Sequence, residues 1–313
     1  MKKITEKLEK KLGISGLVDK LIDNLSGSEL NTILLELFKT RTKQIVPSRL
    51  LTEYNQNRFC SPASIDPISY KEDEVSWLKS ANEYGFKPVL LSPLAPLGSS
   101  SVVGCVNQNK VVSALRGSEV VSDATNVLAL KVANEISNDR KVEVKKYCTT
   151  HRHTRGQYYN NPAFSAHFGV FCMVSGGVNR SNNSFEMVLA KEHILFYLNM
   201  LLSLFKKEDL SLEIYVTDNA NQISSQVKDD ILLMYQNLAL EFKLTDFKFR
   251  ETTNQYYQII QFKIFLNYQS NRIDIVDGGF VDWTQKILTN QKQRLFISGV
   301  GLEIIHKICQ GVL

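Results

Sequence analysis

Between Lys71 and Val276 the chain keeps returning to short runs of β-branched, aromatic and apolar residues, and most neighbouring runs are separated by only a few polar residues. The runs are Lys87 to Ser92, Ser101 to Val106, Lys110 to Leu115, Val142 to Arg152, His167 to Val174, Leu212 to Val216 and the block Leu244 to Val276. Strands joined by short turns pair antiparallel, because a parallel pair needs a crossover of a dozen residues or more. Two long apolar stretches with helical spacing, Phe185 to Leu204 and Gln226 to Leu240, are inserted among them. The expectation is an α+β fold: an antiparallel sheet flanked by helices.

The first 70 residues have a different texture. Ile4, Leu8, Leu12, Leu17, Leu21 and Leu25 recur at near-helical spacing, interrupted by Gly13. Ser26-Gly27-Ser28-Glu29 has the form of a capping box and predicts a helix to about Lys43. Pro47-Ser48 opens another short helix, and Cys60 to Pro67 reads as a Pro/Ser loop. Residues 1–70 are therefore expected to form a helical arm, and residues 71–313 a core. Within the core, a charged helix should stop at Tyr84-Gly85, with Gly85 in the left-handed conformation. Pro93 to Gly98 should be loop, Ser101–Val106 and Lys110–Leu115 a hairpin, Asp123 the cap of a helix to about Ser137, and the segment after Gly301 a last helix.

Composition closes off several classes. No apolar run approaches the roughly 20 residues of a membrane helix, and the charged N-terminus lacks a signal peptide's apolar stretch. Five widely spaced cysteines, an odd number, suit free thiols in a reducing cytoplasm better than a disulfide framework. The net charge of +5 is spread along the chain rather than gathered into a basic stripe, which disfavours tRNA or other nucleic acid as a partner. Cys148-x-x-His151-x-His153 is a weak metal pattern, because its members alternate between the faces of one strand, and no metal is expected there.

Five strings in order give the chain a family likeness. Glu83 to Pro93 resembles motif 1 of class II aminoacyl-tRNA synthetases, placed at about 75–93. Lys146 to Gln157 resembles motif 2, at about 146–174, and Phe296 to Glu303 resembles motif 3, at about 294–310. Tyr256-Tyr257 resembles a segment that lines the histidine pocket of histidyl-tRNA synthetases, and Gly278-Gly279-Phe280-Val281-Asp282 resembles the segment that follows it. Leu115-Arg116, before a helix carrying Thr125, resembles a further histidyl-type segment. Each string alone is weak, but their order across residues 71–310 is specific. The resemblance implies a histidyl-like catalytic core, a homodimer through motif 1, and no anticodon-binding domain after motif 3. It also implies a ligand cleft formed by Arg152, Thr154, Phe164, Tyr256 and Tyr257, with Arg116 and Gln255 at its rim.

Departures from the family pattern bear on activity. Adenylate formation places charge on phosphate oxygens, which arginines stabilise. The motif 2 glutamate position holds Thr154, and the motif 3 arginine position holds Ile304. The family's further catalytic arginine falls near Thr252 or Thr253, and its pocket aspartate near Gln255. The expectation is a cytoplasmic paralogue that keeps the fold without charging tRNA, as the regulatory subunit of ATP phosphoribosyltransferase does. It would bind a small nucleotide-like or amino-acid-like ligand, act in regulation or with a protein partner, and have no assigned catalytic residue. The alternative is a ligase that activates an unusual carboxylate with ATP, or another adenine nucleotide, using Arg152 together with Arg116 or Arg155.

Overall fold

The computed structural model describes residues 2–139, 143–158, 165–179, 184–217, 224–244, 246–252 and 256–312. Four helices open the chain: α1 (Lys2–Leu12), α2 (Leu17–Asn24), α3 (Gly27–Thr42) and α4 (Pro47–Gln56). The capping box forms as the sequence predicts, with the Glu29 N–H donating to Ser26 Oγ and the Ser26 N–H to the Glu29 carboxylate. None of α2, α3 or α4 has a buried residue, so these helices are held mainly by capping and local pairs.

The core begins with α5 (Pro67–Glu83), which is capped by Asp66 and ends at Gly85 with φ of 83°. It leads into β1 (Lys87–Pro88) and a small three-stranded sheet of β2 (Leu94–Pro96), β3 (Ser113–Ala114) and β4 (Ser118–Val120). Then follow α6 (Ala124–Asn138), β5 (Lys145–Thr154), β6 (His167–Val178), α7 (Ser184–Leu202), β7 (Leu210–Thr217) and α8 (Ser225–Glu241). The chain continues through β8 (Asp246–Thr252), β9 (Gln258–Tyr268), β10 (Asn271–Val281), α9 (Trp283–Leu288), β11 (Gln293–Val300) and α10 (Leu302–Cys309).

The main sheet has eight strands in the order β1-β5-β6-β11-β10-β9-β7-β8. Its inner pairs are antiparallel, in line with the sequence reading, but both edge pairs are parallel, so the sheet is mixed. Helix α8 supplies the crossover that lets β8 lie parallel to β7.

The segment after β1 departs most from expectation. Pairing stops at Pro88, Leu94–Pro96 is strand rather than loop, and Ser99–Val103 is a wide helical turn instead of half a hairpin. The cause is Glu119. Its fully buried carboxylate accepts the N–H groups of Gly98 and Ser100 and the Gln108 side chain, so a residue 19 positions away shapes the turn.

Strand alternation divides the sheet into two unlike faces. Phe171, Met173, Phe262, Ile264, Phe280, Phe296, Leu212 and Ile214 point to a face covered by α5, α7, α8 and α10. The large interlocked core lies there. Val170, Cys172, Val174, Leu295 and Ile297 point the other way, under α6 and the α9 residue Trp283. Toward β9, β7 and β8 that second face turns polar, with Gln261, Lys263, Glu213 and Tyr215.

Candidate functional site

The second face is the place to build a site, because α6 covers only part of it. At its centre Asp123 caps α6, accepting from the N–H and Oγ1 of Thr125 at 2.9 and 2.7 Å. His153 comes up from β5 beneath the helix start, and its Nε2 accepts the Ala124 N–H at 2.8 Å. Burial pushes the His153 imidazole down to about 3, against the pull of Asp123, so the ring is neutral with its proton on Nδ1. That Nδ1–H is buried and has no partner among the described residues. Arg155, two residues on, donates from Nε to the Ser122 carbonyl at 3.1 Å and lies over the Phe168 ring at 5.3 Å.

Tyr256 and Tyr257 extend the site toward β10. Their rings meet edge to face at 4.7 Å, and Tyr256 packs against Trp283 in the same way. The Tyr257 hydroxyl donates to Asp277 Oδ2 at 2.8 Å, and Gln261 Nε2 donates to Oδ1 at 2.9 Å. Burial holds the Asp277 carboxyl above its ordinary range even with these donors. Burial likewise raises the Tyr256 phenol, with Asp123 and Asp277 adding to it and Arg155 opposing, so the two clusters share one field. Gly279 makes the packing possible: a Cβ there would sit 2.5 Å from the Ile260 carbonyl oxygen and 2.7 Å from the Tyr257 ring.

The structure does not assemble one cleft from the seven residues expected. Arg152 pairs across the ladder with Gly169, and Thr154 with His167, which puts both on the helix-covered face. There Arg152 bonds Glu303 of α10 at 2.9 Å and His167 Nδ1 at 2.9 Å. Tyr256 and Tyr257 pack into the cluster of the opposite face, so they do not converge with Arg152. Arg116 is exposed in the β3–β4 turn with φ of 65°, its backbone N–H bonded to Asn31 of α3. Phe164 and Gln255 lie outside the described residues.

Alternation along β5 is as the sequence predicts, but the face that looks into the site is the opposite one. His153, Asp123, Cys172 and Asp277 join the site without having been expected there. Sequence pattern marks Asp123 only as a helix cap, whereas Asp277 directly precedes Gly278-Gly279, a signal that could have found it. The donor atoms of Asp123, His153 and Cys172 lie within 4.8 Å of one another, a spacing a metal could use. The chemistry does not suit one: the Nε2 lone pair of His153 is taken by the Ala124 N–H and Nδ1 carries the proton, so no imidazole lone pair is free. Cys148 belongs to the other face and cannot join them.

Comparison with solved structures places this geometry. An ATP phosphoribosyltransferase regulatory subunit/histidyl-tRNA synthetase from Bacillus halodurans matches with a TM-score of 0.61 at 12% identity, over 80% of this chain and 81% of that one. Histidyl-tRNA synthetase from Nostoc matches at 0.58 and 11% identity, over 82% and 75%. The apo S. aureus histidyl-tRNA synthetase matches at 0.55 and 14% identity, over 80% and 70%. This is the class II synthetase catalytic fold. The string likened to motif 1 falls on the end of α5 and on β1, the string likened to motif 2 on β5, and the string likened to motif 3 on β11 and the start of α10. No protein-family model matches the sequence, and no curated protein matches it. No helix among the described residues is long and apolar enough to cross a membrane.

Proposed function

We propose that this chain is a synthetase-like paralogue that binds an amino-acid-like ligand on the open face of its sheet and does not charge tRNA. One observation carries the reading: Asp123 and Arg155, of opposite sign, stand together at the rim of the α6-covered region, beside Tyr256 and the His153 Nδ1–H, which has no partner among the described residues. A zwitterion satisfies all of them. Its ammonium faces Asp123, and its carboxylate accepts from Arg155 and the His153 Nδ1–H. The motif 3 position Ile304 supports the absence of adenylate chemistry, since it packs against the apolar core rather than offering a cation to a triphosphate. The likeness to a regulatory subunit supports a role within a complex. Exposed Ile68, Val75 and Leu90, on α5 and the segment after β1, support a homodimer through the motif 1 region.

A thermal-shift screen tests this on the whole chain, because a ligand that binds only the folded state raises its melting temperature. At least one amino acid or close analogue should raise Tm, and ATP–pyrophosphate exchange should be absent with every standard amino acid. Arg155 on the cleft is what favours the ligase reading. Robust exchange with one amino acid, lost in Arg155→Ala, would establish that reading instead.

A further inference from the structure

A second cleft lies on the other side of the sheet, under α5. It has a volume of about 690 Å³ and is walled by Ala63, Ile65, Leu91 and Pro93, with Arg152 and Tyr70 among its polar groups beside the Lys71–Glu74 ion pair. Three features of this cleft bear on what it can hold. First, Tyr70 is 4% exposed, yet its hydroxyl has no hydrogen-bond partner among the described residues. Burying an unsatisfied hydroxyl is costly, and phenylalanine would avoid that cost.

Second, the chain makes room for that hydroxyl. It lies so close over Gly169 that a Cβ at that position would be 1.8 Å away, so only glycine admits it. Third, Arg152 keeps donors in reserve. Glu303 is 3% exposed on its side chain and is shared between Arg152 and Lys307, each at 2.9 Å. Burial alone would raise Glu303, but bonds from Lys307 and the Gly169 N–H and the Arg152 charge hold it below its ordinary range, so it stays ionised. Arg152 spends Nη1 on His167 and Nη2 on Glu303, and keeps Nε–H and further N–H groups for a ligand.

We propose that this cleft is a second ligand site, separate from the open-face one, and that it takes an apolar monocarboxylate. The carboxylate accepts from the Arg152 N–H groups left over from Glu303 and His167 and from the Tyr70 hydroxyl, while the apolar body lies against Ile65 and Leu91.

The test uses the full chain, with hexanoate and benzoate as probes and hexanamide as the uncharged control, followed by titration calorimetry. Hexanoate or benzoate should bind saturably, with hexanamide at least ~10-fold weaker. Tyr70→Phe should weaken binding about 10-fold while leaving Tm unchanged or higher, because the hydroxyl it removes has no partner to lose. Arg152→Gln should abolish binding. Amino-acid binding at the open face should survive Tyr70→Phe, which keeps the fate of the two sites distinguishable. Absence of saturable carboxylate binding, equal binding of hexanamide, or undiminished binding in Tyr70→Phe would each overturn the proposal.

Discussion

On the helix-covered face of the sheet, aromatic and aliphatic side chains interlock. Phe296 alone meets the rings of His193, Phe262 and Phe280 at 4.7, 6.1 and 4.8 Å. On the open face the same strands carry Asp277, Gln261, Lys263 and Glu213, each with hydrogen-bonding or charged partners. The strands are shared, so backbone propensity cannot explain the contrast. Helices α5, α7, α8 and α10 dehydrate one face and select apolar residues there. The opposite face is only partly covered, and it can keep polar groups where a ligand can reach them. One face therefore holds most of the stability and the other the groups of the proposed ligand site.

This division makes measurable claims. Phe296→Ala, on the covered face, should cost about 4 kcal/mol in urea unfolding, since it opens a cavity in a fully buried ring cluster. A cost below about 1 kcal/mol would mean that the covered face is not the stabilising one.

A smaller effect should appear on acidification, and it draws on both faces. His153 on the open face and His193 on the covered face are each held near 3 by burial. An unfolded histidine titrates near 6.5, so below that pH the unfolded state takes up protons that the folded state refuses. Stability is complete above about pH 6.5 and is lost as pH falls toward 3. Between about pH 6.5 and 5 the pair should remove about 2 to 3 kcal/mol, and Asp277, raised by burial, works in the opposite direction. His193 is bonded at both nitrogens, to Ser175 and Ser298, so His193→Asn should remove part of the slope at some cost in stability. A flat profile across this window would contradict neutral buried histidines.

The smallest change in stability should come from the open face. Asp123→Asn keeps a competent helix cap while removing the charge, so stability should move by less than about 1 kcal/mol. Binding of any amino-acid ligand found by thermal shift should nevertheless fall by about 10-fold or more. Unchanged binding would remove Asp123 from the site.

Much of the architecture is legible in the order of residues alone. Ser26 and Glu29 cap their helix, Gly85 ends α5, and Gly278-Gly279 marks a place where neighbouring strands and rings come close. The small sheet is not legible in this way, because its turn is held by Glu119, a carboxylate distant in sequence, and local pattern carries no trace of such a contact. Helix α9 is only six residues long, too short to show a period.

The linear order of apolar runs, caps and glycines was enough to specify a helix-flanked sheet, because these are local preferences written every two to four residues, and the ordered motif strings carried the family likeness. Alternation along β5 was equally local, so Arg152 and His153 had to point to opposite faces. Which of those faces becomes the interior depends on where α5, α10 and α6 dock, and docking is a contact between segments far apart in the chain. For that reason only the tertiary structure could turn Arg152 toward Glu303 and bring Asp123, His153 and Arg155 together on the open face as the proposed site.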